Sequence, residues 1–114
     1  MNSTEFVNIV VSALLDRKAY DIIKIDVREK SPVTDYFVVA SARSSSGLRA
    51  LAEHVEDKVS NAGYSVLRKD GMQDARWIVQ DYGDVILHLF NDETRLFYHF
   101  DRLWGEGEKI ENPD

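Results

Sequence analysis

Trp77-Ile-Val-Gln-Asp-Tyr-Gly-Asp-Val-Ile-Leu-His-Leu-Phe90 is the stretch from which the fold is read. Trp77 to Gln80 and Val85 to Phe90 are rich in β-branched and aromatic residues, and Asp81-Tyr82-Gly83-Asp84 between them carries turn chemistry. Two antiparallel strands joined by a tight hairpin are predicted. Working outward, Asn91 stands where it would cap a last helix, with Asp92 and Glu93 in the first turn and Leu96, Phe97, Phe100, Leu103 and Trp104 on its apolar face. In the other direction, Asp70-Gly71 marks a turn after a short strand, Tyr64 to Lys69.

Before that strand, Ser44-Ser45-Ser46 caps a helix whose Leu48, Leu51, Ala52, Val55, Val59 and Ala62 form one stripe, ended by Gly63. Asp21 to Val27 alternates, with Ile23, Ile25 and Val27 on one side and Ile22, Lys24 and Asp26 on the other, and Tyr36 to Ala40 is a second β-favouring run. The polar, Pro-containing segment between them predicts an antiparallel hairpin with a longish loop. Residues 4–16 place Phe6, Val7, Val10, Ala13 and Leu14 at helical spacing. The order helix, two strands, helix, three strands, helix predicts an α+β, two-layer domain with a mixed, roughly five-stranded sheet and three helices. The domain is expected to span residues 1–105, with 106–114 an acidic tail that has little to bury and is expected to be disordered.

The 114 residues suit one domain, and five Phe, five Tyr and two Trp supply large side chains for its core. No cysteine is present, so disulfides, thiol nucleophiles and zinc–thiolate sites are excluded, and a reducing, cytoplasmic setting is expected. No basic n-region opens the chain, and apolar runs such as Phe37 to Ala40 fall far short of the roughly 20 residues of a spanning helix. Neither secretion nor membrane insertion is expected. The net charge is −6, half of it in the tail after Gly105, and the longest basic runs are the pairs Arg17-Lys18 and Arg68-Lys69. Binding to a phosphate backbone needs a concentrated basic face, so direct, specific nucleic-acid binding is not expected; an acidic domain suits a basic protein partner.

Asp81, Asp84 and His88 come nearest to a metal or acid–base constellation once cysteine is absent. On an extended strand Asp84 and His88 lie about 13 Å apart, too far for a shared ion, and a turn-shaping Asp pair with a sheet-face His is the simpler reading. No metal and no cofactor is expected. Gly-x-Ser-x-Gly is absent, and Ser41 to Gly47 matches neither common phosphate-loop pattern, which leaves a capped helix start. Trp104 continues a helical stripe and reads as core. Trp77 opens a strand after a polar run, so it is either a partly exposed binding anchor or a side chain closing the end of the core.

Four segments carry a resemblance: Lys18-Ala19-Tyr20-Asp21-Ile22, Thr34-Asp35-Tyr36-Phe37-Val38, the whole of Trp77 to Phe90, and Arg95-x-x-Tyr98-x-Phe100-Asp101-x-Leu103-Trp104. Over nearly all of residues 4–104 the chain resembles the ribosomal silencing factor family, also called the Iojap or RsfS family. The Asp-Tyr-Gly-Asp-Val-x-x-His-x-Phe block followed by Arg-x-x-Tyr is its most specific part. Phe100-Asp101 departs from a common Leu-Glu pair, and the acidic tail runs past the usual end.

The resemblance implies a nucleotidyltransferase-like fold and a cytoplasmic bacterial factor, able to form homodimers, that binds the large ribosomal subunit through its fourteenth protein. Seated there it obstructs joining of the small subunit and lowers translation when nutrients are scarce. The matched positions imply Trp77 as a central anchor, Asp81 and Asp84 as electrostatic partners for basic side chains, and His88, Arg95 and Tyr98 as neighbours. No catalysis is implied. A nucleotidyltransferase-like enzyme is the alternative that the shared fold suggests, but an Asp-x-Asp pair after a Gly-Ser turn is missing. A self-associating structural module is the third reading, resting on apolar strand content alone.

Overall fold

A computed structural model describes residues 3–29, 31–91 and 108–110. Helix α1, Ser3–Asp16, buries Phe6, Val7, Val10, Val11, Ala13 and Leu14 along one stripe. Helix α2, Ser45–Asn61, begins where Ser44 takes an extended conformation and its Oγ accepts the Gly47 N–H at 3.0 Å. It ends at Gly63, whose φ of +94° lets the chain reverse so that the Tyr64 N–H reaches the Val59 carbonyl at 3.1 Å. The two helices meet at Asp16, whose carboxylate accepts from Lys58 Nζ at 2.7 Å and lies 3.1 Å from His54 Nε2.

Among the described residues six strands make one mixed sheet: β1 Tyr20–Asp26, β2 Tyr36–Ala42, β3 Arg68–Asp70, β4 Trp77–Asp81, β5 Val85–Asn91 and β6 Glu108–Ile110. Their spatial order is β3-β4-β5-β2-β1-β6. The β1–β2 and β4–β5 hairpins are antiparallel, as predicted, while β2 and β5 pair in parallel, a pairing that the long crossover through α2, β3 and β4 allows. The helices pack on one sheet face against Ile22, Tyr36, Val38, Ala40, Ile78, Val85, Leu87 and Leu89. The opposite face carries a second buried cluster of Ile23, Ile25, Val27, Phe37, Val39 and Phe90, with Trp77 and Ile86 packed against it. Each fully buried aliphatic side chain contributes about 1.5–3 kcal/mol, so the paired clusters explain a sheet whose central strands are apolar on both faces.

Three expectations need correction or fall elsewhere. The strand expected over Tyr64 to Lys69 is confined to Arg68–Asp70, because Tyr64 is held by the α2 terminus and packs edge-on against Phe6 at 4.7 Å, and Val66 packs on the helix-side core. Inside the expected tail, Glu108–Ile110 pairs antiparallel with β1, satisfying backbone groups along an edge that the local composition does not reveal. Asn91 closes β5, its N–H donating to the Arg76 carbonyl at 3.0 Å, and the expected last helix from Asp92 to Trp104 lies outside the described residues. Four of the described strands, β1, β2, β4 and β5, are those expected, β3 keeps only Arg68 and Lys69 of the fifth, and two helices are described.

Gln80 is fully buried on the helix side of β4 and links the two layers. Its amide donates to the Ala52 carbonyl of α2 at 2.9 Å, and its Oε1 accepts the Tyr82 hydroxyl at 2.7 Å. Burial and the nearby Glu56 raise the Tyr82 pKa well above the usual phenol value, so the hydroxyl remains a donor. Tyr82→Phe leaves Gln80 Oε1 buried without that bond and is expected to cost about 1–3 kcal/mol. A urea midpoint equal to that of the parent protein would refute this role.

Candidate partner-binding site

The hairpin that carries most of the expected site residues is shaped by its turn. The Tyr82 N–H bonds the Val85 carbonyl at 2.9 Å, Gly83 takes φ +89°, and Asp81 Oδ1 accepts the Gly83 N–H at 2.8 Å. Asp81 is thus partly a turn-shaping residue, as its spacing allows. Asp84 is exposed, and its carbonyl accepts the N–H groups of Asp35 and Tyr36 at 3.1 Å each, tying the turn to the start of β2.

Strand register places Trp77, Val79 and Asp81 on the sheet face away from the helices, opposite Phe90, His88 and Ile86 respectively. Trp77 is half-buried, stacks on Phe90 at 5.0 Å and 27°, and donates its indole N–H to His88 Nδ1 at 3.1 Å. An indole nitrogen only donates, so this bond requires a neutral imidazole with its proton on Nε2. Burial accordingly holds the His88 pKa down at about 4. Phe37 meets the same imidazole edge-on at 5.3 Å. Trp77 is thus anchored in the fold with part of its surface left in solvent.

The structure divides the expected site. Trp77 and His88 are in contact, whereas Asp81 and Asp84 lie at the opposite end of the hairpin, four residues or about 13 Å along β4 from Trp77. Arg95 and Tyr98 lie outside the described residues. Asp81 also lines a hollow of about 280 Å³, together with Arg68, Lys69, Asp70, Val79 and Ile86. Lys69 is occupied by Glu56 at 3.0 Å. Sequence reading did not name Val79, Ile86 or Arg68 as site residues; the alternation along β4 and β5 puts the first two on one face, but only the pairing of β3 with β4 brings Arg68 opposite Asp81.

The loop leading into Trp77 is held from α2. Arg49 donates from Nε to the Met72 carbonyl at 2.9 Å and from a terminal nitrogen to the Gln73 carbonyl, and the Ala75 N–H closes back on the Gly71 carbonyl at 2.9 Å. Arg49 thus fixes, through backbone, the point at which β4 starts. Among the described residues no group of three or more His, Asp or Glu is placed to hold a metal ion, and His88 Nδ1 is already engaged by Trp77.

The family model described as "Ribosomal silencing factor during starvation" matches residues 1–114. The ribosomal silencing factor RsfS of Zymomonas mobilis is 37% identical over 117 residues, covering 98% of this chain and 88% of that one. A crystal structure of a Chromobacterium violaceum protein superposes with a TM-score of 0.90 at 29% identity, covering 100% of this chain and 94% of the other. The mouse protein named mitochondrial assembly of ribosomal large subunit protein 1 is 29% identical over 101 residues, 86% of this chain and 44% of that protein. With the family match spanning the whole chain and an α+β fold shared with its solved neighbour, this chain belongs to the ribosomal silencing factor family.

Proposed function

We propose that this domain binds the large ribosomal subunit through its fourteenth protein and, seated there, blocks joining of the small subunit, repressing translation when nutrients are limiting. Family membership supports the silencing role, and the observation that supports a protein-docking mechanism is the Trp77–His88–Phe90 assembly. An indole held by a hydrogen bond and a ring stack loses little side-chain entropy on binding, which is what a central anchor requires. Asp81 and Asp84 add negative charge suited to a basic ribosomal protein, affecting on-rate and salt dependence most. The mechanism needs only occupancy, without bond making. A bacterial cytoplasmic setting, a nucleotidyltransferase-like ancestry for the fold and a homodimeric form belong to the same proposal.

Sedimentation with isolated large and small subunits, followed by light scattering of subunit joining, tests it. Co-sedimentation with large subunits alone and slowed joining are expected; pelleting with neither subunit would overturn the proposal. Trp77→Ala empties a place in the second apolar cluster, so Trp77→Phe is the cleaner probe: it retains a ring over Phe90 and removes the donor to His88. Trp77→Phe is expected to weaken large-subunit binding at least about fivefold, or ~1 kcal/mol. Unchanged affinity in the folded variant would remove Trp77 from the interface.

A further inference from the structure

Among the described residues only two large apolar side chains are strongly exposed, Val33 at 72% and Leu67 at 71%. They are 34 residues apart in sequence, yet the segments that carry them attach to the same turn. Leu67 donates its N–H to the Asp81 carbonyl at 2.8 Å, and its Cδ1 lies beside Gly83. Val33 precedes Asp35 and Tyr36, whose N–H groups both bond the Asp84 carbonyl. Three strand spacings, β3 to β4 to β5 to β2, separate the two sites of attachment, roughly 14 Å. Single exposed apolar residues are ordinary; a pair flanking one turn at one end of a sheet makes a surface.

The charge between them is acidic. Residues 26–35, 67–68 and 81–84 hold five carboxylates against three basic side chains. Arg28 is taken up by Asp26 in a bidentate pair at 2.6–3.1 Å. Asp84 is exposed, and neither Asp81 nor Asp84 makes an ion pair among the described residues. Two apolar knobs around carboxylates that make no ion pair, with Arg68 across the strand from Asp81 as the nearest basic residue, match a protein surface that offers lysine or arginine between aliphatic side chains; a nucleic-acid backbone is less well suited to this acidic balance.

We propose that this turn end of the sheet, Val33, Leu67, Asp81 and Asp84, is a second docking zone, distinct from Trp77, for a basic protein surface with apolar flanks. Resting on the ribosome-binding reading above, it assigns part of the contact to the end of the sheet about 13 Å along β4 from Trp77.

The chain contains no cysteine, so a single introduced thiol reports one position. Leu67→Cys, Val33→Cys and, as a control on the exposed end of α2, Ser60→Cys are each treated with a maleimide with and without saturating large subunits, in preparations already shown to co-sediment. Leu67→Cys and Val33→Cys are expected to be labelled at least tenfold more slowly in the complex, with Ser60→Cys unchanged. In parallel, the Asp81→Asn/Asp84→Asn double variant, which retains an amide oxygen for the Gly83 N–H, is expected to bind about tenfold more weakly at low salt and with a shallower salt dependence. Full labelling at positions 67 and 33 in a complex that does sediment would overturn the second zone while leaving ribosome binding intact. So would a double variant that binds more tightly, since that would point to an RNA or acidic contact. Absence of sedimentation by the parent chain would instead bring down the ribosome-binding reading and this inference with it.

Discussion

Gly71→Ala is expected to lower the melting temperature by about 10 °C or more, through a loss of at least ~2 kcal/mol. Gly71 has φ +82°, a region that L side chains rarely enter, and a Cβ there would lie 2.0 Å from the Trp77 carbonyl oxygen and 3.1 Å from its carbon. The obstacle is backbone of the facing strand start, so no rotamer change relieves it. The β3–β4 loop would have to open, straining the Arg49 bonds to Met72 and Gln73 and shifting the entry to Trp77. Gly63→Ala provides the comparison: it has a similar φ of +94° but nothing within 4 Å of the added Cβ, so it should cost only the backbone term of ~1 kcal/mol. Thermal melts that place both variants within about 2 °C of each other would show that the close approach at Gly71 has no energetic weight. Where Gly71→Ala still folds, weakened subunit binding beside a normal Gly63→Ala would tie the loop to the anchor.

Stability is expected to fall by about 3 kcal/mol as the pH drops from about 6.5 to about 4, with His88 as the cause. The imidazole is held at about 4 in the fold, against 6.5 for the ordinary group, and each pKa unit of difference corresponds to about 1.4 kcal/mol. The sign follows from proton counts. Between the two values the unfolded chain binds a proton at His88 and the folded chain does not, so lowering the pH favours unfolding; above 6.5 neither state is protonated there, and below about 4 both are. Protonation would also place a second N–H against the Trp77 indole N–H, removing the 3.1 Å bond. Asp16, lowered by hydrogen bonds from Lys58 and His54, and Asp26, lowered by Arg28, lose their contributions mainly below this window, overlapping only its acid end. Urea midpoints measured from pH 7.5 to 4 check the slope, and His88→Asn, which offers a neutral acceptor near Nδ1, should flatten it. An equally steep curve in that variant would assign the pH dependence elsewhere.

Much of the fold was legible because it rests on local periodicity. The alternation in Ile23, Ile25 and Val27 and the stripe from Leu48 to Val59 each name a buried face without reference to anything distant. The tight Asp81–Asp84 turn was equally readable, since Asp and Gly encode it in four residues. The strand contributed by Glu108–Ile110 was not, because three residues among charged neighbours carry no alternation, and their pairing depends on an edge of β1 more than eighty residues earlier. The shortening of the strand expected from Tyr64 had the same origin: aromatic propensity there is outweighed by packing onto Phe6.

The candidate site shows the division most clearly. Sequence alone determined the residue types, Trp77, Asp81, Asp84 and His88, and the acidic balance on which the expectation of a basic protein partner rests. Which of them act together was decided only by tertiary structure. Register set the Trp77 indole against His88 and Phe90 and kept the carboxylates some four residues away, and strand order brought Leu67 and Val33 to one turn. The physical reason is range: propensity and periodicity act over a few residues, whereas pairing across a sheet joins chain segments that have no local signal for one another.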